Sequence, residues 1–266
     1  ALDENRFRLY LQKIVGSSGA TEGYEALIRL VDETGKTVSP GEFLPPAKRL
    51  GLMTAIDRWV CTQAFAQLER GAPRQGYISV NLMPNSISEP QFARWLLAEL
   101  RSRPRLAGRL RFEIIETEQL HLGAAEQALF EQLHELGFGL FLDDFGSGYN
   151  SFEIVKRLPL DGIKLDGTVV RDYLTDPVDQ ALVQAAVSIA RRMGLTLVAE
   201  GVENQAICQA LADLGVHSFQ GYLFHIPEPV ESVCAHESAQ PAAPAYSPAA
   251  ATTEALAAGA RRAPRG

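Results

Sequence analysis

Carboxylates, amides and one ammonium recur in this sequence where buried strands would be expected to end in apolar side chains. Glu25 stands in Tyr24-Glu25-Ala26-Leu27 and Asn81 in Val80-Asn81-Leu82; Glu113 and Glu116 close one apolar run, and Asp143 and Asp144 another. Lys164 with Asp166, Glu200 with Glu203, and Gln220 end three more. Carboxylates crowded into a low-dielectric rim repel one another and take up protons unless cations share the space, so the pattern implies bound metal. Oxygen ligands select hard ions, which favours Mg²⁺ or Mn²⁺ over zinc. His121, His134, His217, His225 and His236 show no paired ligand spacing and read as surface or structural histidines. Two hard cations in a ring of carboxylates suit phosphoryl or phosphodiester cleavage, where metals activate water and neutralise the transition state.

Individual positions leave two roles open. Asp143-Asp144 either reaches two ions from the turn that Gly146 and Gly148 permit, or caps a helix. Lys164, inside Ile163-Lys164-Leu165, either forms a structural ion pair or orients an attacking water. Arg29 shares strand parity with Glu25, as a phosphate clamp or as an exposed cation.

These residues must be held by something, and the chain alternates strand-like runs with amphipathic helical segments. The runs lie at 7–15, 24–32, 77–82, 110–116, 138–143, 161–166, 195–200 and 217–224. Asp176-Pro177 marks a helix start, and Gly137, Gly194 and Gly215 mark helix ends. The alternation predicts an α/β fold, a TIM-like barrel of about eight strands with helices outside. Gly16 to Gly23 is too short for a parallel crossover, so the first two strands form a hairpin and one barrel strand is antiparallel.

The 266 residues, 46% of them hydrophobic, can bury one large core. A barrel over 1–234 is expected, followed by a disordered Ala/Pro-rich tail over 235–266. The net charge of -7 argues against binding DNA or RNA duplexes. No apolar run approaches the roughly 20 residues of a membrane span, and Cys61, Cys208 and Cys234 suggest neither a disulfide framework nor a zinc site, which fits a cytoplasmic setting. The missing initiator Met suggests a segment of a longer protein.

Taken in order, Glu25-Ala26-Leu27-Ile28-Arg29, Val80-Asn81-Leu82, Phe112-Glu113-Ile114-Ile115-Glu116, Asp143-Asp144-Phe145-Gly146-Ser147-Gly148-Tyr149, Ile163-Lys164-Leu165-Asp166-Gly167, Val198-Ala199-Glu200-Gly201-Val202-Glu203 and Gln220-Gly221-Tyr222-Leu223-Phe224 resemble the motifs of the EAL family of cyclic di-GMP phosphodiesterases. The resemblance implies hydrolysis of cyclic di-GMP to linear pGpG with two divalent cations, Mg²⁺ or Mn²⁺. It casts Glu25, Asn81, Glu113, Asp143, Asp144 and Glu200 as metal ligands, with Lys164, Glu200 and Glu25 at the reaction centre. Glu203 and Gln220 resemble partners of metal-bound water, Glu116 the brace of the loop after Asp144, and Gln12, Leu27, Arg29 and Asp166 substrate contacts. It also implies a homodimer and an upstream sensory or GGDEF domain. The alternative within the family is a catalytically silent cyclic di-GMP receptor. Departures from the pattern stand at Lys13, Ile115, Asn150 and Phe152, none of them a ligand position.

Overall fold

A computed structural model of the chain describes residues 4, 6–115, 122–146 and 151–239. Strands β1 (Phe7–Gly16) and β2 (Thr21–Val31) form an antiparallel hairpin with Gln12 opposite Glu25. A two-residue strand, β3 (Thr37–Val38), pairs with the end of β2. Next come β4 (Tyr77–Leu82), β5 (Leu110–Ile115), β6 (Gly139–Phe145), β7 (Gly162–Leu165), β8 (Thr196–Ala199) and β9 (Ser218–Gln220), which add in parallel from β2 onward. Strand β9 then pairs antiparallel with β1, closing an eight-stranded barrel in which β1 runs against its neighbours. A last short strand, β10 (Glu228–Pro229), lies outside β1, opposite Tyr10 and Leu11.

Helices surround the barrel, and the longer ones turn buried apolar residues toward it. Helix α1 (Pro40–Arg49) leads into α2 (Met53–Glu69), which packs on β4; α3 (Pro84–Ile87) and α4 (Pro90–Arg101) follow β4. Then come α5 (Ala124–Glu135), α6 (Ser151–Arg157), α7 (Gly167–Arg171), α8 (Pro177–Met193), α9 (Gln205–Leu214) and α10 (Val230–Ala239). In α8 the buried residues Val183, Ala186, Val187 and Ala190 recur at helical spacing. The expected punctuation is present: Asp176 accepts from the amides of Val178 and Asp179, Pro177 opens the helix, and Gly194 ends it in the left-handed region.

The register puts alternate residues of every strand on the inner face. Inside the barrel Ile14, Tyr77, Phe141 and Val198 form a buried cluster apart from the larger core shared with the helices. The two rings lie over glycines on neighbouring strands: a Cβ on Gly162 would stand 2.2 Å from the Phe141 ring, and one on Gly23 would stand 2.6 Å from Tyr77. The Arg111 guanidinium lies 3.5 Å from the Tyr77 ring centre and 4.8 Å from that of Phe141. Along their strands Tyr77, Phe141 and Val198 each precede an inner polar position by two residues, Ser79, Asp143 and Glu200.

Two boundaries differ most from expectation. The strand expected over 217–224 stops at Gln220, because the chain turns at Gly221 and meets the segment after β8, where Val202 N–H donates to the Gln220 carbonyl and Leu223 N–H to that of Val202. Helix α10 continues past Cys234 to Ala239, and Glu237 accepts from the Tyr24 hydroxyl and the Arg74 amide, both at 2.8 Å. The three cysteines are free, and no helix among the described residues is long and apolar enough to cross a membrane.

Candidate active site

Inward parity explains why acids from distant stretches meet. Asn81 on β4, Glu113 on β5, Asp143 on β6 and Lys164 on β7 sit on inner positions toward the C-terminal ends of the parallel strands, with Glu25 midway along β2 and Glu200 just past β8. Lys164 is fully buried, and its Nζ makes ion pairs with Glu113 Oε2 at 2.8 Å, Glu25 Oε2 at 3.2 Å, Asp143 Oδ1 at 3.4 Å and Glu200 Oε1. Four carboxylates thus face one ammonium. Taking such charges out of water is costly, and one cation cannot balance this set.

The pair Asp143-Asp144 is brought to one side by a backbone device. Between Leu142 and Phe145 the register of β6 against β7 slips by a residue, and Asp144 takes φ 55 in the left-handed region. Neighbouring side chains of a regular strand point to opposite faces; the bulge cancels that divergence. Carboxylate oxygens of Asp143, Asp144 and Glu200 consequently lie within 4.8 Å of one another, a group that can hold a metal ion. Gly146 also turns through positive φ, whereas Gly148 falls outside the described residues.

The donor set fits a hard cation. Asn81 Nδ2 donates to Glu25 Oε1 at 2.8 Å, and the buried Asn81 Oδ1 has no hydrogen-bond donor among the described residues. A buried carbonyl oxygen left in that state is costly, and a metal ion satisfies it as a proton donor would.

The protonation pattern reports the same crowding. Burial pushes Glu113 up to about 8, with Lys164 pulling the other way and the charges of Glu25 and Asp143 adding to the rise. Burial, then the charges of Asp143 and Asp166, push Asp144 up to about 6. Asp143 and Glu200 are raised, first by burial, with neighbouring carboxylates adding to the rise against the pull of Lys164. For Lys164 burial opposes the charge, but the surrounding acids overcome it and hold the ammonium protonated. Glu25 is the exception: burial acts upward, yet the Lys164 charge and hydrogen bonds from Gln220, Asn81 and Lys164 hold it below the usual range.

Around this centre the other expected residues take varied places. Gln220 Nε2 donates to Glu25 Oε2 at 2.6 Å and to Gln12 Oε1 at 3.0 Å, and Gln12 Nε2 donates to the His225 carbonyl at 3.1 Å. Gln12 is therefore engaged at both ends as a brace of Glu25. Arg29, half-buried, lies 5.4 Å from the Tyr10 ring centre, and Leu27 is half-exposed on the same face of β2. Asp166 caps α7, accepting from the Thr168 amide at 2.6 Å. Glu203 is exposed on the segment before α9 and takes no part in the hydrogen bonds and ion pairs of the described residues. Glu116, His121 and Asn150 lie outside the described residues. Ile115 stands opposite Asp143 in the ladder, and Phe152 on α6 is exposed and edge-on to Phe145.

The EAL domain family model matches residues 1–227. The chain belongs to the EAL domain family. Among its EAL relatives, the cyclic di-GMP phosphodiesterase PdeB of Shewanella oneidensis is 33% identical over 238 residues, covering 88% of this chain and 28% of that protein. The cyclic di-GMP phosphodiesterase PdeF of Escherichia coli K12 is 34% identical over 232 residues, 86% of this chain and 31% of that protein. The chain thus spans less than a third of the length of these relatives. The structure of the PaMucR phosphodiesterase in complex with c-di-GMP superposes with a TM-score of 0.80 at 32% identity, over 88% of this EAL domain and 96% of that chain.

Sequence reasoning passed over Asp57, a carboxylate of α2 that is 4% exposed and accepts from the Met83 amide at 2.9 Å. A signal was present, since Asp57 interrupts the apolar stripe of Met53, Val60, Cys61, Ala64 and Leu68.

Proposed function

We propose that this EAL domain hydrolyses cyclic di-GMP to linear pGpG, using two divalent cations, Mg²⁺ or Mn²⁺, held by Glu25, Asn81, Glu113, Asp143, Asp144 and Glu200. The observation that carries this is the all-oxygen cluster around buried Lys164, with the orphaned Asn81 oxygen, at the mouth of an EAL barrel. When bound, the cations supply the Lewis acidity that activates water and offsets charge on the phosphate.

The chain's own residues do the rest. Lys164 holds a fixed positive charge at the cluster's centre, where it orients the attacking water and stabilises charge developing on phosphorus oxygens. Gln220 and Gln12 hold Glu25 in place, and Asn81 fixes its second oxygen. Arg29, backed by the Tyr10 ring, presents a cation to the phosphate that is not cleaved, and Leu27 offers apolar surface to a guanine. Asp166, oriented by the Thr168 amide, and Gln12 complete the substrate-facing set, while Glu203, Gln220 and Glu116 support the metals and the loop after Asp144. Attack of water on one phosphorus breaks one P–O3′ bond, and the released 3′ oxygen takes up a proton.

The same reading places the domain in the cytoplasm, as part of a larger signalling protein with a sensory or GGDEF domain upstream, and pairs it with a second copy through helices near the Asp144 loop. The barrel together with α10, through Ala239, would carry the activity. Incubation with cyclic di-GMP and Mg²⁺, followed by chromatography, should yield pGpG and lose it on chelation. Tight binding without product at any metal concentration would mark a silent receptor; neither binding nor turnover overturns the assignment.

A further inference from the structure

Asp57 lies on α2 outside the cluster, yet it is buried as deeply as the acids within it. Burial pushes its carboxylate up to about 6, against the pull of hydrogen bonding from the Ser86 hydroxyl and the Met83 amide. A packing role does not call for such a group, because an apolar residue in that stripe would fill the space without the desolvation cost. What the carboxylate touches explains its presence. Asp57 Oδ2 accepts from the Met83 amide at 2.9 Å, the first backbone donor beyond the last β4–β5 pair, Leu82 opposite Ile114. Met83 is also the residue from which α3 departs, with Pro84 in its first turn and the amides of Ser86 and Ile87 donating to the Met83 carbonyl. The chain thus leaves β4 through one pinned peptide, two residues after Asn81.

Asn81 is accordingly held from two sides. Its side chain is fixed through Nδ2 by Glu25, and its backbone is fixed by the anchor that α2 supplies at Met83. We infer that Asp57 is a positioning residue for the metal centre: by clamping the Met83 amide it sets the height of Asn81 on β4 and hence the aim of the Asn81 oxygen. This rests on the reading of Asn81 as a metal ligand. A supporting group of this kind typically changes metal affinity about 10-fold to 100-fold when removed, and displacement by about 1 Å is enough to cost a catalytic site heavily.

The test is Mn²⁺ binding measured by calorimetry on the whole domain, without substrate, for the parent, D57A, D57N, N81A and the double variant D57A/N81A. The asparagine in D57N keeps an oxygen that can accept from the Met83 amide, so D57N should bind Mn²⁺ like the parent, while D57A should bind about tenfold more weakly. Because Asp57 acts through Asn81, the double variant should bind no more weakly than N81A alone. If D57A lowers the melting temperature but leaves Mn²⁺ affinity intact, or if D57N is as impaired as D57A, the positioning role is overturned while the ligand assignment stands. If N81A itself binds Mn²⁺ like the parent, the ligand assignment falls and this inference with it.

Discussion

Lys164 is the residue on which the centre balances, because it is the ammonium that the four carboxylates share. Replacing it by Met should reduce pGpG formation by at least about 100-fold. It should also destabilise the metal-free domain by about 3 kcal/mol at alkaline pH, since removing one partner of a buried ion cluster leaves the rest uncompensated; urea unfolding with and without Mg²⁺ measures both the loss and its recovery. The titration of the acids has a definite sign. Glu113 and Asp144 are raised in the folded protein to about 8 and about 6, so the stability they contribute is fully present below their ordinary carboxylate values and is lost as pH rises through those points. Glu25 is lowered and acts oppositely, its contribution being lost only on acidification. The melting temperature of the chelated domain should therefore fall from about pH 5 to about pH 9, and the gain on adding Mg²⁺ should widen over that range. That Glu25, Asn81, Glu113, Asp143, Lys164 and Glu200 come together was legible in the sequence, because each interrupts an apolar strand end, whereas Glu203, read the same way, lies exposed. How Asp143 and Asp144 come to face the same way was not, since a bulge with one left-handed residue has no marker beyond the acids themselves. The engagement of Gln12 at both ends depends on the His225 carbonyl, over two hundred residues away, which no local pattern announces.

Strands and helices were legible because period and punctuation agree. The β4 run coincides with its expected range, and Asp176, Gly194 and Gly215 stop and start helices where expected. The β9 run deceived because apolar residues beyond Gln220 read as strand, while the close approach to Val202 that ends it is a long-range contact. The strands that carry Asn81 and Asp143 also carry the rings that lie over glycines, which makes that packing sensitive to single atoms. Gly162→Ala places a methyl group 2.2 Å from the Phe141 ring, and overpacking of this kind should cost about 1–3 kcal/mol. Combined with Phe141→Leu, the two losses should sum to less than their separate values in a denaturant double-mutant cycle. Strict additivity would show that ring and glycine are independent.

At the scale of the whole molecule, closure depends on the chain's last described helix as well as on its strands. Glu237 ties α10 to Tyr24 on β2 and to Arg74 ahead of β4, so a chain ended at Cys234 leaves two donors without their acceptor. Such a chain should be about 1–3 kcal/mol less stable than one ended at Ala239 in urea unfolding, whereas the latter should match the full chain.

The reversal of β1 also fixes where a neighbour can be attached. In a barrel of uniformly parallel strands the first strand starts on the floor, remote from the chemistry. Here Phe7 pairs with Leu30 at the upper end of β2, one residue past Arg29, while α10 descends past Tyr24 toward Arg74 on the opposite pole. A module spliced ahead of Phe7 would stand at the lip of the substrate entrance, and one spliced after α10 would hang beneath the base. Swapping a sensor from the leading to the trailing position would move it from the doorway to the cellar of the same building.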